Sequence, residues 1–62
     1  MNARRSEILS LLATAPRKLD WLMKRFDRSR STIMTDISML RRGRVIDTVR
    51  VGNTTIYELV KE

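Results

Sequence analysis

The feature that most constrains the fold is an apolar spacing of four and three residues in the middle of the chain. Ile33, Ile37 and Leu40 recur at this spacing, which places them on one face of an α-helix. Ser29 precedes them and is a favourable N-cap, because its hydroxyl can accept a hydrogen bond from a free backbone N–H of the first turn. We therefore predict a helix that starts at Ser29 and continues to about Arg42.

Another helix is predicted at the start of the chain, from about Ala3 to Ala15. Its apolar residues follow a helical period and comprise Ile8, Leu9, Leu11, Leu12 and Ala15. Asn2 is the predicted N-cap. Pro16 ends the helix, because proline disfavours helical backbone in the residue before it.

A short helix that starts with Leu19-Asp20-Trp21-Leu22 is predicted between these two. The carboxylate of Asp20 can accept a hydrogen bond from a backbone N–H two or three residues on, and its charge favours a helix N-terminus. Leu22 and Phe26 lie one turn apart and are expected to face the core together. Asp27 follows, and aspartate tolerates the left-handed backbone that a tight turn between helices demands. Ahead of this helix, Arg17–Leu19 is a candidate for one short additional strand.

Beyond Gly43, a common helix terminator, the pattern changes from helical to extended. Two segments rich in β-branched residues, Val45–Val51 and Thr54–Val60, predict two strands. Gly52 and Asn53 separate them, and glycine at the first central position is typical of a type II′ hairpin turn. The predicted fold is α+β: three helices followed by a β-hairpin, in one domain covering all 62 residues.

Composition excludes several kinds of site. The chain contains no cysteine and no histidine, so disulfides, thiolate metal sites and the commonest catalytic acid–base residue are absent. Two glycines cannot form a glycine-rich phosphate loop. We expect neither an enzyme nor a bound metal or cofactor. Because no apolar run has the length of a membrane span or signal peptide, we expect a cytoplasmic protein.

The chain is strongly basic, with 13 basic and seven acidic residues and a formal net charge of +6. Ten of the basic residues are arginine, whose planar guanidinium suits contacts with phosphate and guanine. Positive charge can also serve solubility alone. Nucleic acid is therefore the first partner to consider.

The order of three helices and a hairpin, together with three short motifs, resembles the winged helix-turn-helix family. The likeness is closest to the N-terminal DNA-binding domain of DeoR-type bacterial regulators. The apolar stripe of that family's first helix is similar to Ile8-Leu9-Ser10-Leu11-Leu12. Its recognition helix, Ser-x-x-Thr-Ile-x-x-Asp-Leu, is matched by Ser29, Thr32, Ile33, Asp36 and Ile37. The glycine that leads into its wing is matched by Gly43-Arg44-Val45-Ile46.

The chain departs from the DeoR-type pattern at several points. Met34 and Thr35 stand where family members commonly carry two basic residues, and Arg28 replaces a small apolar residue of the turn. The interval Leu40–Gly43 is one residue short. DeoR-type proteins continue into a sugar-phosphate-sensing domain, whereas this sequence resembles free-standing wing domains of small phage, plasmid and archaeal-virus regulators. Its initial Met1 and polar end favour a complete chain.

In helix-turn-helix docking, the second helix of the motif lies in the major groove with its N-terminal residues near base edges. The candidate base contacts are Arg28, Arg30, Ser31, Met34, Thr35 and Ser38. The candidate phosphate contacts are Lys24, Arg25, Arg41, Arg42 and Arg44. The hairpin tip, here called the wing, is expected at the DNA backbone or minor groove and comprises Arg50, Gly52, Asn53 and Thr54. The alternatives are a solvated helix face and a hairpin that only closes the core.

Four further residues have two interpretations each. Asp36 could accept a hydrogen bond from cytosine N4, but its position near the packed side favours a bond or ion pair with neighbouring helices. Trp21, Phe26 and Tyr57 are the only aromatic residues. We expect them in or beside the core rather than as stacking platforms for single strands.

The sequence therefore predicts a small transcriptional regulator that binds double-stranded DNA in a sequence-specific manner. We expect it to regulate by occupying the promoter, as a repressor. A single module of this kind buries roughly 600–1,000 Å² of surface on DNA, which rarely gives tight specific binding alone. A homodimer or several copies side by side are therefore expected. The alternative is an adaptor or inhibitor that binds an acidic protein, such as a host transcription or replication enzyme. Binding to RNA or non-B DNA is a third interpretation, disfavoured by the scarcity of free aromatic residues.

Overall fold

Three helices and a three-stranded antiparallel sheet form the fold in the computed structural model, which describes residues 3–60. The elements are, in chain order, α1 (Ala3–Thr14), β1 (Arg17–Lys18), α2 (Leu19–Phe26), α3 (Arg30–Arg42), β2 (Ile46–Val51) and β3 (Thr54–Leu59). The predicted α+β winged helix-turn-helix architecture is confirmed, including the short third strand. The predicted N-cap Asn2 lies outside the described residues.

The turn between α2 and α3 follows its sequence signals. Asp27 adopts left-handed backbone, with φ 53° and ψ 50°, as predicted. Ser29 has extended backbone and caps α3, since its hydroxyl accepts a hydrogen bond from the backbone N–H of Thr32 at 3.4 Å. The predicted start of α2 at Leu19 is confirmed, but the capping role predicted for Asp20 was wrong. Lys18 is the N-cap and makes no side-chain cap bond, while Asp20 lies inside the first turn, where its charge still favours the helix N-terminus.

The end of α3 differs from the expectation for Gly43. This glycine keeps right-handed backbone, with φ −76°, and the left-handed residue is Arg44, with φ 59°. The N–H of Arg44 donates to the carbonyl of Arg41 at 3.0 Å, and the N–H of Val45 donates to that of Leu40 at 3.2 Å. These two bonds define a Schellman motif, whose left-handed position favours glycine. In this chain the glycine, Gly43, lies one residue before the left-handed position, which Arg44 occupies.

The sheet has the strand order β1-β3-β2, with both pairings antiparallel. Val51 pairs with Thr54, so the hairpin loop contains two residues. Gly52 has φ +62°, whereas Asn53 is not among the residues with positive φ, in agreement with the predicted type II′ turn. Strand β2 begins one residue later than predicted, and β3 ends one residue earlier. The two residues left out are still paired, because the N–H of Val60 donates to the carbonyl of Val45 at 3.0 Å.

The core lies between the helices and one face of the sheet. Every helix and both hairpin strands contribute to it: Ile8, Leu12, Leu19, Leu22, Ile33, Ile37, Leu40, Ile46 and Tyr57 are buried. Trp21 and Phe26 are half-buried and pack against this cluster, as predicted for aromatic residues at a core edge. This packing holds one face of α3 against the body of the protein and leaves the opposite face exposed.

Candidate nucleic-acid interface

The outer face of α3 is a shallow depression, which we call the α3 surface. Its lining residues are Ser31, Met34, Thr35, Ser38, Met39 and Arg42. Four of the six predicted base contacts therefore lie together. Arg28 is also exposed and lies in the turn before the helix. Met39 was not among the predicted site residues, although its position one turn after Thr35 was a signal that it shares this face.

The hydroxyl groups at the start of α3 already have partners within the helix. The Ser29 and Thr32 hydroxyl oxygens are 3.0 Å apart, and the Ser29 and Ser31 hydroxyl oxygens are 3.4 Å apart. One turn further on, the hydroxyl of Thr35 donates to the backbone carbonyl of Ser31 at 2.9 Å. The Thr35 proton is therefore engaged, while the side chain remains exposed.

Met34 connects the α3 surface to the core. Its side chain is half-buried, and its Sδ accepts a hydrogen bond from the hydroxyl of Tyr57 at 3.6 Å. Tyr57 is itself 5% exposed and belongs to the central strand of the sheet. This bond and the partial burial restrict the rotamer freedom that a methionine ordinarily keeps.

The one carboxylate within α3, that of Asp36, faces the core and is 0% exposed. Arg4 and Arg5 of α1 each donate a hydrogen bond from Nε to this carboxylate, the Arg5 bond measuring 2.9 Å. Burial alone would raise the pKa of Asp36, but the hydrogen bonds and charges of the two arginines outweigh burial, and the pKa is lowered. Of its two interpretations, the structural one is confirmed, since the carboxylate is enclosed between α1 and α3.

Because Asp36 is buried, the exposed face of α3 carries only neutral and basic side chains. Arg30 is exposed at its N-terminal end, and Arg41 and Arg42 are exposed at its C-terminal end. Negative charge is thus absent from the exposed side chains of Arg30–Arg42. The arginines at the two ends of this face attract a polyanion, and no exposed carboxylate of α3 opposes them.

Arg30 occupies a different place from the other base candidates. It lines a cleft between the start of α3 and the wing. The other lining residues include Lys18, Asp20, Asn53, Thr54 and Thr55. The structure thus brings Arg30 together with two predicted wing residues, and it adds Lys18 and Thr55, which the sequence patterns did not single out. Lys18 reaches this cleft because β1 pairs with β3 at Ile56.

The predicted phosphate contacts divide into two groups. Lys24, Arg41, Arg42 and Arg44 are exposed. Arg25 is also partly exposed, but its guanidinium lies 2.8 Å from the carboxylate of Glu7 in α1. In the wing, Arg50 is exposed on β2 opposite Thr55, and Gly52 and Asn53 form the exposed turn.

Comparisons with known proteins identify the fold. No family model and no curated protein matches the sequence, but solved structures do. HlyU from Vibrio cholerae is 28% identical, with a TM-score of 0.89 over 97% of this chain and 65% of its own. The homodimeric winged helix-turn-helix DNA-binding domain of Mb0332 from Mycobacterium bovis is 26% identical, with a TM-score of 0.86 over 94% of this chain and 54% of its own.

A third structure extends the likeness at lower identity. The adhesin competence repressor AdcR from Streptococcus pyogenes is 19% identical, with a TM-score of 0.91 over 98% of this chain and 48% of its own. At this identity the likeness shows the fold alone. The chain spans about two thirds of HlyU and about half of the other two proteins.

These comparisons support the winged helix-turn-helix part of the resemblance rather than its DeoR-type part. HlyU from Vibrio vulnificus, 28% identical, is a transcriptional regulator, and Mb0332 is a candidate ArsR-family regulator. The chain thus shares the fold of these proteins, among which HlyU from Vibrio vulnificus is a transcriptional regulator and Mb0332 contains a DNA-binding domain.

Proposed function

We propose that the protein binds double-stranded DNA in a sequence-specific manner and acts as a small transcriptional regulator. In this proposal α3 enters the major groove, and the wing lies at the backbone or minor groove. The observation that carries the proposal is the burial of Asp36. With that carboxylate enclosed by Arg4 and Arg5, the exposed side chains of α3 are neutral or positively charged, which favours approach to the DNA phosphates.

The exposed residues take two roles in this proposal. The α3 surface except for Arg42 contacts base edges together with Arg30, because a recognition helix lies in the major groove with its N-terminal part near the bases. Lys24, Arg41, Arg42 and Arg44 contact phosphates and set the register without carrying sequence information. Arg25 is assigned to neither role, because its ion pair with Glu7 directs it toward α1. Arg28, exposed in the turn, stays a candidate base contact.

The structural neighbours support both DNA binding and an assembly of two or more copies. The Mb0332 domain is a homodimeric DNA-binding domain, and one small module buries too little surface for tight specific binding alone. We therefore propose that this protein binds as a homodimer on two half-sites about 34–36 Å apart, or as several adjacent copies. Repression by promoter occupancy is a finer part of the same proposal.

Such a regulator acts inside the cell, at the nucleoid. Among residues 3–60, no helix is both long and apolar enough to cross a membrane.

The test is selection of binding sites from a random pool of double-stranded DNA. The winning duplex and a scrambled duplex are then titrated at several salt concentrations. A shared motif, bound at least about a thousandfold tighter than the scrambled duplex, is the expected result. Two half-sites spaced by one helical turn in the selected motif would also support binding as a homodimer.

Two arginine variants make this test specific to α3. Arg30→Ala is expected to weaken binding to the selected duplex by about 1–3 kcal/mol, the energy of a good base contact. Arg25→Ala removes the same charge on the α1 side and is the matched control, with a much smaller expected loss. Circular dichroism should show both variants folded. Equal, salt-suppressed binding to every duplex would contradict the proposal and favour an acidic protein partner.

A further inference from the structure

The centre of the α3 surface differs chemically from its ends. We infer that this centre contacts the C5 methyl groups of thymine, so that preferred sites carry thymines in the major groove opposite Met34, Thr35 and Met39. This inference rests on the proposed function and deepens it, because it names the bases that the helix recognises.

The first argument is the apolar content of the centre. Met34 and Met39 contribute two thioether side chains to the depression, and Met39 is 44% exposed. Thr35 lies one turn before Met39 and adds a methyl group to the same face. An exposed apolar centre flanked by arginines gains nothing from contact with water. It is complementary to an apolar group on a polyanion, because the arginines can contact the negative charges on either side.

The second argument concerns the hydrogen-bonding capacity of Thr35. Its O–H donates to the carbonyl of Ser31 at 2.9 Å, so the proton is not free for a base. The side chain then offers a base its methyl group and an oxygen lone pair. Among the base pairs, only those containing thymine present a methyl group in the major groove.

The third argument is that the side chain of Met34 is restricted before any partner binds. The hydroxyl of Tyr57 donates to its Sδ at 3.6 Å, and Tyr57 is buried. A methionine that is already ordered loses less conformational entropy on contact than a free one. This arrangement suits recognition of one fixed methyl position better than a promiscuous apolar surface.

Charge complementarity selects DNA as the occupant of this surface. Arg30 and Arg42 stand at opposite ends of α3, and the carboxylate of Asp36 is buried on the far side of the helix. An apolar protein partner would leave these guanidinium groups without anionic partners, whereas the phosphates beside a major groove would satisfy them.

The experiment replaces each thymine of the selected duplex in turn by deoxyuridine, which removes the methyl group and keeps the base pairing. At contacted positions the dissociation constant is expected to rise roughly fourfold per methyl, since burying a group of this size contributes about 0.8 kcal/mol. Thymines outside the major-groove contact region serve as internal controls and should show no change.

Variants of Thr35 and Met39 assign this effect to the α3 surface. Thr35→Ser removes only the methyl group and keeps the hydroxyl bond to Ser31, while Thr35→Val keeps a methyl group and loses the hydroxyl. We expect Thr35→Ser to lose the preference for thymine over deoxyuridine at one position and Thr35→Val to retain it. Met39→Ala, also on the exposed face, should abolish the preference at a neighbouring position. Circular dichroism checks that each variant is folded.

Three outcomes would overturn the inference. If a specific duplex is selected but deoxyuridine changes nothing, the thymine contact is wrong and the proposed function stands. If deoxyuridine weakens DNA binding by Thr35→Ser and Met39→Ala as much as it weakens binding by the unaltered protein, the methyl group acts through DNA shape and not through the α3 surface. If no duplex is preferred at all, the proposed function and this inference both fail.

Discussion

The two faces of α3 differ in every property that matters for their roles. The inner face buries Ile33, Ile37 and Leu40 together with the carboxylate of Asp36. The outer face is mostly exposed and carries hydroxyl, thioether and guanidinium groups, and the bond between Met34 and Tyr57 joins it to the core. Adjacent residues of one helix therefore belong either to the core or to the candidate interface.

This division indicates that stability and binding can be changed separately in a very small domain. Among residues 3–60, nine buried apolar residues form the core. The inner face of α3 supplies three of its nine buried apolar residues. The outer face contributes little to the core, so its side chains can be suited to a binding partner without a large loss of stability. The predictions below test how sharp this division is.

The largest effect is expected from Ile37→Ala on the inner face. Ile37 is 0% exposed, and truncating a buried isoleucine to alanine costs about 2–5 kcal/mol. Such a loss is a large fraction of the stability of any small domain. Urea unfolding followed by circular dichroism measures it.

The matched control for this prediction is the next residue along the chain. Ser38 is exposed on the opposite face, so Ser38→Ala is expected to change stability by no more than about 0.5 kcal/mol. Equal destabilisation by both substitutions would break the division between the two faces.

A somewhat smaller effect is expected from Asp36→Asn, which keeps the shape of the side chain and removes its charge. The bonds from Arg4 and Arg5 then lose their ionic character, and hydrogen bonds to charged groups contribute about 1.5–3 kcal/mol. The substitution should also loosen α1 from α3. Urea unfolding near neutral pH measures the loss.

The same pair of proteins gives a pH prediction. The folded-state pKa of Asp36 is lowered, so its contribution is present above the unfolded-state pKa of about 3.9 and is lost as the pH falls through the folded-state value. The stability of the unaltered protein should therefore approach that of Asp36→Asn in acid. A difference between the two that stays constant from neutral pH to about pH 2 would contradict the ion pairing.

The smallest effect is expected at Arg44, where backbone and side chain have separate roles. Its left-handed backbone, with φ 59°, costs an L-residue about 1–2 kcal/mol. Arg44→Gly is therefore expected to stabilise the domain by about 1 kcal/mol, less some added freedom of the unfolded chain. If Arg44 contacts a phosphate, the same substitution weakens DNA binding and reduces the salt slope by about 1.

Asp27→Gly is the matched control for Arg44→Gly, since Asp27 also has left-handed backbone. Aspartate tolerates this conformation better than arginine does, so a smaller gain in thermal stability is expected there. A loss of stability in Arg44→Gly would show that its side chain, rather than its backbone, determines the end of α3.

Sequence signals spaced within a few residues determined most of the fold. The helical period of Ile33, Ile37 and Leu40 located α3 and its buried face, and the hydroxyl of Ser29 located its start. Asp27 and Gly52 marked the two turns correctly. These signals work because capping, turn geometry and amphipathic spacing depend on bonds between residues close in the chain.

Tertiary structure alone decided the arrangements that join distant residues. The partners of Asp36 are 31 and 32 positions away, and Arg25 is directed toward α1 by Glu7. The left-handed position at the end of α3 is taken by Arg44 and not by Gly43, which the place of the glycine in the sequence did not indicate. Such outcomes follow from how the helices and sheet pack together, because packing sets which side chains meet across the fold, and no local spacing encodes it.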